Sequence, residues 1–320
     1  MASGMDFSKL QNAPRLLIEA DLQPIQGTRF QPTGFPDLGA ATYTLHDGTE
    51  MLLVESAQSM ANRFEAVCWD STKGDLVEPL KGLPYVVSKL PGGQTTNSIL
   101  EAHRLNSAYI VNSKEFEAIK AEVDYDPSKP FDRSKMIKVL LKYDPASLLH
   151  GIFWEKIGGV VRVARSLSAS IEACNVTVVQ NGGVKIDRVT PGKEGSAGEA
   201  AEGYKNIPYH KTDFAAERLT AFVNLDLSQI RGFGAGEKAE HLLIVLALFK
   251  IEKFLSEGLR LRTACDLKVV KTRVMSPETF AVPNLDTLTN ELPKLIKAVE
   301  SEGKFAKPPV TTVSFKGEKK

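Results

Sequence analysis

The segment GFGAGEKAEH, from Gly232 to His241, is the part of the sequence whose residue types most directly suggest chemistry. A glycine-rich turn between a strand and a helix exposes backbone amides that can hold a phosphate. The spacing is GxGxG instead of the GxGxxG of dinucleotide-binding folds, and Lys238 is followed by Ala239 instead of the Ser or Thr of a phosphate-loop NTPase. A nucleotide-binding enzyme therefore stays an alternative, and a tight connection into a buried helix explains the glycines equally well.

Four further segments combine arginine with hydroxyl or amide side chains, a mixture that suits phosphate and sugar oxygens. They are a loop after the first predicted strand, the polar side of the first predicted helix, the segment PGGQTTNSILEAHR and the segment VVRVARSLSAS. In the third, Ser98 and Glu101 have the spacing of a capping box, which predicts that a helix begins there. With two residues beside the glycine-rich turn, the candidates for contact with a single-stranded nucleic-acid backbone are Gln26, Thr28, Arg29, Ser59, Asn62, Arg63, Thr95, Thr96, Ser98, His103, Arg104, Arg162, Arg165, Arg231 and Phe233.

The sequence lacks the common catalytic and metal-binding patterns. It contains no GxSxG elbow and no HExxH helix, and its five histidines are scattered. Cys68, Cys174 and Cys265 form no CxxC pair, which favours core thiols over a disulfide framework or a zinc site. Asp37 lies in a Gly/Pro-rich loop, where a turn-forming role is the simpler explanation. We therefore predict no catalytic residue, no metal and no cofactor.

Composition places the chain among ordinary globular proteins of one or two domains. Its 320 residues are 42% hydrophobic and 25% charged, and 40 Lys and Arg against 39 Asp and Glu leave a net charge of +1. Any basic surface must therefore arise by segregation of charge, as in the cation-rich stretch from Arg260 to Arg273. The longest apolar run, Leu242 to Phe249, is too short to cross a bilayer, and the first residues have no secretory pattern. We expect a cytoplasmic protein without a membrane partner.

The elements that must position these residues are visible as periodicities at both ends of the chain. Alternating apolar residues predict strands over 15–22, 219–228 and 262–269, and helical spacing predicts helices over 57–67 and 237–257. Gly258 is suited to a left-handed cap, and Asp47-Gly48 to a hairpin turn. Two strand-to-helix units on a sheet with one open face predict an α+β fold with a ferredoxin-like βαββαβ core in preference to a doubly wound sheet.

This core divides the chain into four predicted parts. Residues 1–67 are its first part with a hairpin, 68–217 an inserted region, 218–275 its second part, and 276–320 a C-terminal helix and Lys-rich tail. Within the insertion we expect helices over 134–143 and around Leu148 and strands over 160–171 and 176–188. The loop Thr190 to Gly203 has few side chains able to pack and is predicted to be mobile, and the tail from Lys304 to fray.

Several long strings resemble one protein family. RLLIEADLQPIQGTRFQPTGFPDLGAATY, ESAQSMANRFE, SILEAHRLNSAYI, RSLSASIEA, FVNLDLSQIRGFG and LRLRTACDL are similar to the backbone subunit of type I-G CRISPR effector complexes, formerly type I-U. The resemblance runs from about Arg15 to Val270. It implies a modified RNA-recognition-motif palm, an inserted helical finger region and a thumb-like hairpin.

The resemblance also implies partners and a mechanism. Copies of the subunit would line a guide RNA head to tail, present its bases to a target DNA strand and contact other effector subunits, while a separate helicase-nuclease cleaves the target. It favours phosphate contact at the glycine-rich turn. Backbone proteins of type III systems cut RNA with a loop Asp, so an RNA-cleaving subunit of the same fold is the nearer alternative, with Asp37 as its one candidate.

Overall fold

The computed structural model describes residues 6–35, 38–155, 157, 161–185 and 207–317. These ranges fold into an α+β structure with a large antiparallel sheet and eight α-helices. The strands are β1 (Arg15–Pro24), β2 (Gly34–Phe35), β3 (Gly39–Thr44), β4 (Glu50–Glu55), β5 (Trp69–Asp70), β6 (Asp75–Leu76), β7 (Tyr85–Lys89), β8 (Thr95–Asn97), β9 (Ile152–Trp154), β10 (Val161–Val163), β11 (Leu167–Lys185), β12 (Ile207–Asp226), β13 (Arg260–Arg262), β14 (Cys265–Ser276) and β15 (Val310–Ser314). The helices are α1 (Ala57–Ala66), α2 (Ala108–Val111), α3 (Phe116–Val123), α4 (Arg133–Tyr143), α5 (Ala146–His150), α6 (Leu227–Gly232), α7 (Glu237–Glu257) and α8 (Leu285–Ser301).

The main sheet has eight strands in the order β13-β14-β1-β12-β11-β4-β3-β2. Its centre is built from six elements, with other elements inserted between some of them. In chain order they are β1, α1, β11, β12, α7 and β14, which is a βαββαβ sequence. Because β12 and β14 both pair antiparallel with β1, they run parallel to each other, and α6 and α7 connect them. The predicted α+β class is confirmed.

The buried face of the sheet follows directly from the alternation in the sequence. Leu16, Ile18, Ala20 and Leu22 of β1 are buried, and the residues between them are half-buried on the other face. Helix α7 covers the buried face, and every residue from Leu242 to Phe249 is buried because α1 and α8 also pack against it. The predicted helix over 237–257 is therefore confirmed.

Three local predictions are corrected. Gly258 ends α7 with a φ of −97°, so it is not a left-handed cap. The predicted strand over 262–269 is broken by a turn between β13 and β14. The strand predicted over 219–228 ends at Asp226, because its carboxylate accepts a hydrogen bond from the Gln229 amide at 2.8 Å and caps α6.

Between α1 and β11, residues 67–166 carry helices α2 to α5 and the strands β7 and β8, which form a small sheet with the C-terminal β15 in the order β15-β7-β8. The helices predicted over 134–143 and around Leu148 correspond to α4 and α5. Strand β11 lies in the main sheet, although its residues belong to the predicted insertion over 68–217. The division of the chain into domains stays a prediction, and the loop Thr190 to Gly203 lies outside the described residues.

The C-terminal segment is ordered by packing. Strand β15 pairs in parallel with β7, and Val313 within it is fully buried. The prediction that the tail frays from Lys304 is therefore wrong, since the pairing with β7 and the burial of Val313 order this segment in spite of the flanking lysines. No helix in the described ranges combines the length and apolarity needed to span a membrane.

Strands β11 and β12 form a long hairpin whose outer half leaves the sheet. Their pairing runs from Leu167 with Leu225 to Lys185 with Ile207, while β4 pairs only with residues 171–174 of β11. A bridge between Phe30 and Phe214 marks the point where the hairpin separates from its neighbours. We call residues 176–185 and 207–213 the outer hairpin.

Candidate nucleic-acid interface

A buried carboxylate, Glu55, gathers two arginines from distant parts of the chain. It ends β4 with no exposed surface, and Arg63 on α1 contacts its Oε1 atom at 2.7 Å. Arg262 of β13 contacts the same oxygen. Two guanidinium groups thus share one carboxylate, and about a quarter of each arginine side chain remains exposed (24% for both). The cluster carries one excess positive charge.

The backbone fixes both guanidinium groups. Arg63 also donates to the Leu261 carbonyl at 2.9 Å, and Arg262 donates to the Gln31 carbonyl at 2.9 Å. On α1, Ser56 caps the helix and the Ser59 hydroxyl bonds to Glu55, so Ser59 and Arg63, one turn apart, face the same carboxylate. The two arginines are therefore preorganised and lose little side-chain freedom when an anion binds.

A groove of about 730 Å³ lies beside this cluster. One wall is formed by residues 31–34 and 39–40, the other by residues 210–212 and 214, and Arg262 lies between them. At the hairpin wall the buried Asp213 carboxylate lies 3.6 Å from both Arg29 and Lys211, and 53% of the Arg29 side chain is exposed. Lys211 and Arg262 line the groove itself, and Arg29 and Arg63 lie beside it as the second partners of Asp213 and Glu55. Four cations thus surround two carboxylates at and next to the groove, an excess of two positive charges.

The groove brings together two of the patches predicted from the sequence. Gln26 and Thr28 are exposed on the loop that carries Arg29, and Asn62 is exposed on the helix that carries Arg63. Guanidinium groups with neighbouring hydroxyls and amides are suited to bind phosphate and ribose oxygens. The groove can therefore hold a short stretch of nucleic-acid backbone.

A second set of predicted residues is buried in an ionic cluster under the inserted region. Arg104 is 6% exposed, with its Nε atom 3.9 Å from the Glu65 carboxylate. The Lys250 ammonium lies 2.9 Å from Glu65 and 2.9 Å from His150 Nε2. Arg165 lies near Arg104, and burial together with that charge lowers the pKa of Arg165. Residues of α1, α5 and α7 are joined here, so the cluster attaches the insertion to the sheet.

The segment from Pro91 to Arg104 folds differently from its prediction. No α-helix begins at Ser98, whose hydroxyl accepts from the Val86 amide at 3.2 Å instead of capping a helix, while Asn97 Oδ1 accepts from the amides of Ile99 and Leu100. Glu101 bonds to the hydroxyls of Thr96 and Ser107. The predicted capping box is therefore wrong, and these polar groups instead close a turn against β7.

Residues of the chain already contact the groups of the glycine-rich turn. Arg231 donates to the carbonyls of Leu10 and Ala13, and Phe233 is 5% exposed. Lys304 donates to the Ala235 carbonyl at 2.6 Å, and a Cβ atom at Gly236 would lie 2.7 Å from its Nζ atom. Phosphate binding at this turn stays a prediction, and the contacts give the glycines a structural reason.

Exposure separates the predicted residues into three groups. The exposed ones are Gln26, Thr28, Arg29, Asn62, Thr95, His103 and Arg162. The half-buried ones are Ser59, Arg63, Thr96, Arg165 and Arg231, and the buried ones are Ser98, Arg104 and Phe233. Arg162 lies over the exposed ring of Phe153 at 4.7 Å from its centroid, away from the hydrogen-bonded clusters. The RNA-binding role of each residue stays a prediction.

Two residues of the groove were missing from the predicted set. Arg262 belongs to the cation-rich stretch already visible in the sequence, and its proximity to Arg63 depends on pairing that the sequence does not display. Lys211 has no distinguishing local pattern. Asp37, the candidate for an RNA-cleaving role, lies outside the described residues. Within the described ranges no group of three His, Cys, Asp or Glu side chains is placed to hold a metal ion.

Comparison with curated proteins yields no match. Among solved structures, a chain described as "CRISPR RNA-guided surveillance complex, pre-nicking" has a TM-score of 0.41 and 13% identity, covering 90% of this chain and 89% of its own. A chain described as "CRISPR RNA-guided surveillance complex" has a TM-score of 0.40 and 12% identity, with coverage of 90% and 84%. Csc2 of Thermofilum pendens has a TM-score of 0.31 and 10% identity, with coverage of 95% and 79%.

The family match is the more specific finding. The model of a family described as CRISPR-associated protein GSU0053 matches residues 16–178, just over half of the chain. The matched region includes β1, α1 and two of the three residues of the Glu55 cluster, Glu55 and Arg63. This chain therefore belongs to the family of CRISPR-associated protein GSU0053.

Proposed function

We propose that the chain is the backbone subunit of an RNA-guided surveillance complex of the type I-G kind, and that it binds the guide RNA by its phosphates. The observation that carries the proposal is the excess of cations at and beside the groove, where the described ion pairs of Arg29, Arg63, Lys211 and Arg262 are made with two carboxylates, Glu55 and Asp213. Contacts to phosphates carry no sequence information, so base identity is left to pairing.

Each part of the fold has a place in this proposal. The βαββαβ elements of the main sheet serve as the RNA-recognition-motif palm, residues 67–166 as the finger region, and the outer hairpin as the thumb. The groove lies at the base of the hairpin, so a strand bound there would pass between palm and thumb.

In the proposed assembly, copies bind head to tail along one guide RNA and contact other effector subunits at the ends. An open contact of this kind repeats until something caps it. The subunit presents the guide to a target DNA strand in the cytoplasm and has no catalytic role of its own. Cleavage of the target is left to another protein.

The test compares the rim of the groove with a matched surface. Arg29→Gln and Lys211→Gln are combined in one variant, and Lys129→Gln with Lys135→Gln in a control, because those lysines pair with Asp126 and Asp124 on the inserted region. Guide-RNA affinity is measured from about 50 to 200 mM salt by fluorescence anisotropy. We expect weaker binding and a log–log salt slope reduced by roughly 0.7 for each lost phosphate contact only in the groove variant.

Co-expression gives the second readout. With a CRISPR array and effector partners, the wild-type protein should elute as a large particle containing one defined RNA. Equal affinity and equal salt slopes in both variants would remove the groove from the interface. A nucleic-acid-free monomer under all conditions would overturn the proposed function itself.

A further inference from the structure

The face of the main sheet opposite α7 carries a groove of about 300 Å³ separate from the cationic one. Three apolar side chains, Leu17, Phe222 and Met275, and three neutral polar ones, Ser168, Ser170 and Asn224, line it. Phe222 is 37% exposed and Met275 is 45% exposed, although both lie on strands inside the sheet. An exposed aromatic ring at the centre of a sheet has no role in the core.

Strand register explains why Phe222 is presented outward. On β12 its neighbours Ala221 and Val223 are buried beneath α7, so Phe222 points to the open face. Glu19 of β1 and Ser170 of β11 lie directly opposite Phe222 on the two adjacent strands. The ring therefore lies in a row of small or polar side chains, and its face is accessible.

An unsatisfied acceptor lies next to the ring. The Oδ1 atom of Asn224 has almost no exposed surface and finds no hydrogen-bond donor in the described part of the chain. Leaving a buried acceptor unpaired is unfavourable, and the loss is recovered when a ligand supplies the donor. Asn224 is two residues from Phe222 on the same strand, so one ligand could contact both the acceptor and the ring.

Resting on the proposed function, we infer that this groove binds a single unpaired base of the RNA, stacked on Phe222 with an N–H of its edge donated to Asn224 Oδ1. Three apolar side chains form a patch far smaller than the roughly 800 Å² per partner of a stable protein interface. A phosphate does not suit the groove, because its one charged wall is Glu19, whose carboxylate lies 3.4 Å from Arg273. A flat, uncharged ring with hydrogen-bonding edges fits both features.

The experiment uses Phe222→Leu and Phe222→Tyr in the full chain, with Phe131→Leu as the control. Phe131 is an aromatic residue of similar exposure, 39%, on the inserted region. Affinity is measured for a single-stranded RNA and for the same strand with abasic positions, which keeps every phosphate. We expect Phe222→Leu to bind intact RNA about tenfold more weakly, Phe222→Tyr to retain binding, and the salt slope to stay unchanged because no phosphate contact is lost.

The abasic strand decides the mechanism. Wild-type protein should lose affinity for it, while Phe222→Leu should bind both strands equally. Suppose that Phe222→Leu binds intact RNA as tightly as the wild type, while Arg29→Gln/Lys211→Gln binds it more weakly. This pair of results would overturn the stacking site and leave the proposed function standing. A change in oligomer size at unaltered RNA affinity would also overturn it and identify the face as a protein contact. Absence of RNA binding by the wild type would overturn both.

Discussion

At the scale of single residues, two buried groups give the fold a specific dependence on pH. Burial, with the nearby Glu65 carboxylate, raises the pKa of Asp144 to about 7. Burial and the charge of Lys250 lower the pKa of His150 well below its ordinary value. At a pH between its unfolded and folded pKa values, Asp144 is protonated in the folded protein and ionised in the unfolded chain. At a pH between its folded and unfolded pKa values, His150 is neutral in the folded protein and protonated in the unfolded chain.

The signs of the two effects are opposite. Because the pKa of Asp144 is raised, its contribution to stability falls as pH rises from about 4 to about 7. Because the pKa of His150 is lowered, its contribution falls as pH drops below about 6.5. Within the range from about pH 4 to 6.5 the slopes of the two contributions oppose each other, so the Asp144 term masks the His150 term in the wild type.

Asp144→Asn separates the two effects. The variant should lose stability on acidification below about pH 6.5 with a slope approaching 1.4 kcal/mol per pH unit, and should not lose stability between about pH 6.5 and 7. Urea denaturation at half-unit intervals of pH measures both regions. A pH profile parallel to that of the wild type would contradict the raised pKa of Asp144.

Single residues also show why the site was only partly predictable. The sequence displays Arg63 and Arg104 in similar polar surroundings, yet one lies half-exposed beside Glu55 and the other is buried beside Glu65. Which arginine has which carboxylate depends on strands and helices that meet from distant parts of the chain. At Ser98, the hydroxyl expected to cap a helix instead accepts from the Val86 amide of β7, a contact that local spacing does not show.

At the scale of elements, the contact between α1 and α7 depends on the pair of Glu65 and Lys250. The Lys250 side chain is 1% exposed and the Glu65 side chain 4%. Removing one partner of a buried ion pair leaves an uncompensated charge, which costs about 3–5 kcal/mol, whereas replacing both is far less costly. We therefore expect the pair to fix the alignment of the two helices and to add little net stability.

A double-mutant cycle tests this view. Lys250→Met and Glu65→Gln should each destabilise the protein by about 3 kcal/mol or more, and the double variant by much less than their sum. Lys253→Met, one turn along α7 at a partly exposed pair with Glu257, is the control and should cost under about 1 kcal/mol. Additive losses in the double variant would show that the two side chains act independently.

The elements were predictable where the signal is local. Alternation specifies β1, and an unbroken apolar run specifies the middle of α7, because burial on one face or on all faces is written in neighbouring residues. The alternation of β11 indicates a strand but not its partner, since pairing is decided by residues far away in the sequence. That is why its residues were placed in the insertion and not in the main sheet.

At the scale of the whole molecule, the end of the outer hairpin, residues 182–185 and 207–210, should be needed for assembly and dispensable for folding. Residues 182–184 and 208–210 are exposed, and in the described part of the chain they pair only with each other. Deleting 182–210 and joining Asn181 to Lys211 through Asn-Gly keeps the Asp213 contacts and closes the strands with a two-residue turn. The melting temperature should stay within a few degrees of that of the wild type.

The same deletion should prevent a particle of defined length from forming on guide RNA. Size-exclusion mass and extracted RNA, compared after co-expression with partners, measure this outcome. A particle of wild-type mass would show that the hairpin does not act as the thumb, and loss of the folded monomer would show that it belongs to the core.

The pairing of β1 has a consequence for the synthesis of the chain on the ribosome. Arg15 and its partner Asp226 are 211 residues apart, and the other neighbour of β1 is made later still. At roughly 5–20 residues per second, β1 waits on the order of 10–40 s after its own synthesis for its first partner. During that time its apolar stripe is exposed while the segments around α2 to α5 are already available to fold. The first strand of the sheet is thus the last to be completed, and a nascent chain that stalls before residue 226 carries an unpaired strand open to chaperones or to aggregation.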